Sequence, residues 1–126
     1  MSTVKFDTWQ NTDGTENYKC RAWCKFDGTA ADITATMTGG NVSSITDMGV
    51  GVYKVNFTNA MPDVNYTVSA TNSPIYALNG PAWCVINGDK SSWTAENSPT
   101  TTSFYVGPAS SSGYYDAKYV NIAVFR

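Results

Sequence analysis

Hydrophobic side chains in this chain recur at every second residue, in short runs cut by Gly, Asn, Asp and Pro, and helical periodicity is almost absent. A period of two puts alternate side chains on opposite faces of an extended strand, so the chain is restricted to β-structure. In residues 18–26 the even positions Tyr18, Cys20, Ala22, Cys24 and Phe26 are apolar, while Lys19, Arg21, Trp23 and Lys25 fill the odd ones. That is a half-buried strand with one wet face. Phe26-Asp27-Gly28-Thr29 supplies a turn. Ile33, Ala35 and Met37 then alternate with threonines, predicting a second strand broken by Gly39-Gly40.

Residues 42–46 predict a third strand, and Asp47-Met48-Gly49-Val50-Gly51 a hairpin loop whose glycines can take positive φ. Tyr53, Val55 and Phe57 alternate in a fourth strand, and Tyr66, Val68 and Ala70 in a fifth after the reversal at Met61-Pro62-Asp63. Residues 83–86 read as a sixth strand buried on both faces, and residues 103–106 as a seventh. Residues 118–125 close the chain, with Val120, Ile122 and Val124 opposite Tyr119, Ala123 and Phe125. The expected fold is all-β: an antiparallel β-sandwich or jelly-roll-like domain of about seven to eight strands. An arm at residues 1–17 precedes a single domain at 18–126, with long loops at 72–81 and 87–102.

The 126 residues suffice for one sizeable core. Charged residues make up only 14%, with Thr, Ser, Asn and Gly in their place, and a 13% aromatic content argues against disorder. A net charge of −2 offers no basic field for nucleic acid. No run approaches the roughly 18 apolar residues of a membrane span, so no membrane insertion is expected. Residues 1–10 lack the basic-then-apolar pattern of a secretory signal, which predicts synthesis in the cytosol. Without such a signal, the matches to the glycosylation pattern at Asn41, Asn56 and Asn65 read as strand composition.

The three cysteines, Cys20, Cys24 and Cys84, are odd in number and read as buried free thiols. Along a strand, Cys20 and Cys24 would stand roughly 13 Å apart, too far to bridge. There is no histidine, which removes histidine-dependent triads and histidine metal sites. Most of the ten acids sit beside turn residues, where Asp bonds nearby backbone amides. No two are spaced as a glycosidase pair, and Asn11-Thr12-Asp13-Gly14-Thr15-Glu16 lacks the order of a calcium loop. No enzymatic activity and no cofactor are expected.

The aromatic residues are the remaining candidates for contacts. Tryptophan and tyrosine supply large amphipathic area for interfaces and sugar platforms alike. Trp23 lies on the polar face of its strand, which marks it first for interface or inter-sheet packing and second for a ligand. Val4, Phe6 and Trp9 give the N-terminal arm a driving force for docking. Trp93, in a loop, is the better sugar candidate, with Tyr76, Tyr114 and Tyr115.

The run Tyr18-Lys19-Cys20-Arg21-Ala22-Trp23-Cys24-Lys25-Phe26-Asp27-Gly28-Thr29 resembles the Cys-Arg-Ala-Trp-Val-Asn-Phe-Asn-Gly-Thr motif of a family of tailed-phage tail-fibre and appendage domains. Asn41-Val42-Ser43-Ser44-Ile45-Thr46-Asp47 and the residues on to Tyr66 look like its companion motif, and Tyr119-Val120-Asn121-Ile122-Ala123-Val124-Phe125-Arg126 is similar to the family's close. Cys24 and Lys25 depart from the motif's Val and Asn. The resemblance covers most of the chain but is weak from Asn72 to Gly113. It implies a virion structural protein, a homotrimer in contact with capsid or tail proteins; the alternative, drawn from the aromatic residues, is a glycan-binding module that meets host surface glycans. Only residues 1–17 precede the motif, without a shaft or coiled coil, so the expectation is a capsid decoration or a fibre- or tail-tip component.

Overall fold

A computed structural model describes residues 2–5, 7, 10, 12–14, 19–73, 82–87 and 98–126. Among these residues the strands are β1 (Cys20–Phe26), β2 (Thr38–Gly40), β3 (Val42–Asp47), β4 (Tyr53–Phe57), β5 (Thr67–Asn72), β6 (Ala82–Ile86), β7 (Ser103–Ser110), β8 (Gly113–Tyr114) and β9 (Val120–Phe125). They form two antiparallel sheets, with no α-helix among the described residues. The front sheet runs β2-β1-β9-β5; the back sheet runs β3-β4-β7-β6, with β8 paired to β7. These open sheets form the expected β-sandwich.

The alternation in the sequence becomes the core. Ala22, Cys24 and Phe26 of β1 and Val120, Ile122 and Val124 of β9 point inward from the front sheet. Tyr53, Val55 and Phe57 of β4 with Phe104 and Val106 of β7 answer from the back sheet. Phe26 and Tyr53 meet edge to face at 5.3 Å, and Phe57 packs against Phe104 and Tyr66 at 5.6 Å each. Such ring pairs add about 0.5–1.5 kcal/mol beyond their burial.

Three expectations change. Residues 33–37 are not a strand; Thr34–Thr36 form a short 3-10 turn. Asp32 Oδ1 accepts the Ala35 amide at 3.1 Å, and Thr36 Oγ1 donates to the Ile33 carbonyl at 2.7 Å. These local bonds compete with strand pairing. Second, Gly39 and Gly40 do not break a strand but build one, because their lack of a side chain lets β2 approach β1 around Trp23. Third, β6 is not buried on both faces. It lies at the edge of the back sheet, with Cys84 and Ile86 against the core and Trp83 43% exposed. The thiols divide similarly: Cys24 is buried, Cys84 partly buried and Cys20 exposed, and all three are free.

One polar knot fastens the turns above the core. The Tyr53 hydroxyl lies 2.9 Å from both the Gly28 carbonyl and Asp116 Oδ1, so its one proton serves two acceptors. Asp116 Oδ1 also accepts the Gly51 amide at 2.8 Å. Gly51 has φ +66°, and a Cβ there would strike the backbone of Tyr115. The Gly28 amide donates to the Ala117 carbonyl at 2.9 Å. Burial, then the neighbouring Asp116, pushes the Tyr53 hydroxyl pKa up, so it remains a donor.

Two ion pairs pin surface turns. Arg126 grips Asp63 through Nε to Oδ1 at 2.9 Å and Nη2 to Oδ2 at 2.6 Å, and Lys118 Nζ reaches Asp27 Oδ2 at 2.8 Å. Hydrogen bonds from Arg126 to Asp63, and from Lys118 to Asp27, hold each carboxyl down at about 2.

Tyr53→Phe keeps the ring packing but strands the acceptors, and should lower stability by about 1–2 kcal/mol in urea unfolding. Because both acids have depressed pKa values, their stabilisation is present above the ordinary 3.8 and is lost as pH falls through about 2. Thermal midpoints should therefore fall across that window, and fall less steeply in an Asp27→Asn/Asp63→Asn variant. Solvent screening keeps the effect small.

Candidate functional site

The outward side chains of the front sheet form the surface that most resembles a site. In β1 the alternation that buries Ala22, Cys24 and Phe26 turns Trp23 and Lys25 to solvent. Register then sets their neighbours. Trp23 stands opposite Gly40 on β2 and Ala123 on β9, and Ala123 stands opposite Ser69 on β5. In the next row, Thr38, Lys25, Asn121 and Thr71 lie side by side.

Trp23 is 48% exposed. Its indole leans over Gly40, where a Cβ would sit 2.8 Å from Nε1 and 3.2 Å from Cδ1. On the other side Ala123 and Ser69 are too short to fill the space. A groove of about 370 Å³ results, bordered by Trp23, Lys25, Ser69, Thr71, Asn121 and Ala123. Smaller recesses continue along the same face, one beside Lys25 and Tyr119, the other beside Phe125 and Arg126. Lys25 Nζ sits 5.1 Å from the centre of the Tyr119 ring, a cation–π contact that holds the ammonium at one end of the groove. Tyr119 and Phe125 are also exposed, so three aromatic side chains crowd one face.

Among the described residues, no group of three or more His, Cys, Asp or Glu side chains could hold a metal ion. Burial pushes the Cys24 thiol up to about 12 and the Cys84 thiol up to about 11, which keeps both protonated and poorly nucleophilic. Cys84 donates to Asn72 Oδ1 at 2.8 Å instead. Among the described residues no helix is long and apolar enough to cross a membrane.

The residues singled out from sequence scatter. Phe6, Trp9, Tyr76 and Trp93 lie outside the described residues. Val4 is exposed, and Trp23 lines the groove. Tyr114 is partly buried, its ring over Gly107. Tyr115 is a core residue and not a surface contact for a ligand. Its hydroxyl donates to the Ser73 carbonyl at 2.9 Å and accepts from Asn72 Nδ2, which draws the ring under the sheet. Sequence reasoning passed over Ser69, Thr71, Asn121 and Ala123. Their signal is the outward phase of their strands, which becomes a site only once register sets them beside Trp23.

Compared with known proteins, the chain matches no family model, no curated protein and no solved structure.

The lean of the indole over Gly40 is directly testable. Gly40→Ala should displace the Trp23 ring, shifting its indole N–H resonance in a ¹⁵N correlation spectrum. The exposed ring can move aside, so core amide resonances and the thermal midpoint should change little.

Proposed function

We propose that the chain is a non-enzymatic structural subunit of a tailed-phage virion, an exposed appendage subunit that serves as a capsid decoration or as a fibre- or tail-tip component. The observation that carries this reading is the placement of the motif that resembles phage appendage domains. Residues 20–57 of that motif supply β1 to β4, and its tryptophan, Trp23, is turned away from the core. A large aromatic left half in solvent beside Tyr119 and Phe125 is suited to contact with something outside the chain. The role is mechanical: a rigid sandwich held to neighbouring capsid or tail proteins, with self-association as a homotrimer. Val4, with Phe6 and Trp9, supplies an attachment arm.

A second reading, a glycan-binding module for host-surface recognition, is favoured by the groove itself. An exposed indole bordered by Ser69, Thr71 and Asn121 offers an apolar platform ringed by hydrogen-bonding groups. The two readings are compatible, since a surface subunit of a particle also meets the host.

Quantitative mass spectrometry of purified particles tests the first reading. The protein should be present, with copies on the order of hundreds for a capsid decoration and far fewer for a tail component. Removing residues 2–10 should abolish incorporation while the β-sheet circular dichroism persists. Particles that lack the protein altogether would overturn the assignment.

A further inference from the structure

We propose that the Trp23 groove is a binding site for an acidic saccharide, a proposal that rests on the glycan-binding reading and names its ligand class and its residues. A pyranose stacks its C–H face on the Trp23 indole, and an anionic substituent on the same or the next sugar meets the Lys25 ammonium. Ser69, Thr71 and Asn121 exchange hydrogen bonds with the sugar hydroxyls.

The groove is carved out by residue choice. Facing Trp23 on the neighbouring strands are Gly40, Ala123 and, beyond Ala123, Ser69, the smallest side chains available. Gly40 gives the indole room to lean, while Ala123 and Ser69 keep the floor low beside it. The volume of about 370 Å³ falls at the lower end of the ~300–1,000 Å³ usual for small-molecule clefts.

Charge selects the ligand class. Among the described residues, Lys25 is the one lining this groove that carries a charge, in a chain whose net charge is −2. Tyr119 holds its ammonium from one side. Asp27, which lines the adjoining recess with Lys25, is engaged by Lys118 at 2.8 Å. Trp23 and Lys25 follow each other on one strand face at a spacing of ~6.6 Å, about one sugar unit.

The test screens the full chain on an array of uronate-, sialate- and phosphate-bearing glycans with neutral glycans of equal length, followed by ¹⁵N titration with the best binder. The expected result is a preference for the acidic glycans that weakens with salt, with shifts at Trp23, Ser69, Thr71 and Ala123. Trp23→Ala should weaken binding by about tenfold or more, and Lys25→Gln should remove the preference over neutral glycans. Trp83→Ala, an exposed tryptophan of the other sheet, should bind as the parent does. Acidic-glycan binding unaffected by Trp23→Ala and Lys25→Gln would overturn this site but leave the glycan-binding reading standing. Binding of neutral glycans alone would overturn the acidic assignment. No binding to any glycan by the folded chain would overturn both. Dissociation of an oligomer by Trp23→Ala would make the face a protein interface and overturn the proposal.

Discussion

The pairing of β1 with β9 determines both surfaces of the front sheet. Along it, Ala22, Cys24 and Phe26 meet Val124, Ile122 and Val120 in register, and all of these side chains turn inward. The same register brings Trp23 beside Ala123 and Lys25 beside Asn121 on the outer face. A slip of one residue would turn Trp23 and Lys25 into the core and expose the apolar set, so burial enforces the register strongly. The one irregularity, between Cys20 and Ala22, leaves Arg21 as an extra residue. Its guanidinium Nε donates to the Arg126 carbonyl at 2.8 Å, and its own carbonyl accepts from Asn41 Nδ2 at 3.1 Å. The bulge therefore ties β1 both to the end of β9 and to the turn that leaves β2.

The sandwich is closed by polar contacts as well as by apolar packing. Tyr53 belongs to the back sheet, yet its hydroxyl reaches the Gly28 carbonyl in the turn that leaves β1. Asp116, on the segment that leads into β9, joins it and reaches the hairpin at Gly51. Three turns distant in sequence are thus held at one end of the core. At the other end, Arg126 holds the reversal around Asp63. The groove on the front sheet thus rests on strands fixed at both ends.

The sandwich was legible wherever alternation was strong and burial one-sided, as in β1, β4 and β9. It was not legible at residues 33–37, where Ile33, Ala35 and Met37 alternate as a strand would. There Asp32 and Thr36 offer the backbone local partners, and local bonds of that kind do not alter hydrophobic periodicity. Gly39 and Gly40 carry the opposite lesson. Propensity marks them as breakers, but pairing beside a large indole needs the absence of a side chain. Of the groove, Trp23 and Lys25 were visible in advance as residues on the wet side of β1, and Trp23 alone as a contact residue. Ser69, Thr71, Asn121 and Ala123 are ordinary strand-exterior residues, and their meeting depends on which strands become neighbours. Tyr115 drew attention as an aromatic in a loop-like stretch, but its ring is buried and its hydroxyl bonds the half-buried Asn72 and Ser73.

The partnership of β1 with β9 also has a kinetic side. The two strands are separated by nearly the whole described chain, with partners such as Phe26 and Val120 at opposite ends of it. Among the described residues, β5 likewise has β9 as its partner in the front sheet. During synthesis, β1 and β5 must therefore remain without their central partner until residues 120–125 emerge, whereas the local β3–β4 hairpin can close early. Closing such long loops before their contacts form slows folding, and unpaired strand edges invite association in the meantime. The late arrival of β9 makes assembly of the outer face one of the last events in folding, so a truncated or stalled chain would expose strand edges and apolar β1 residues instead of a finished groove.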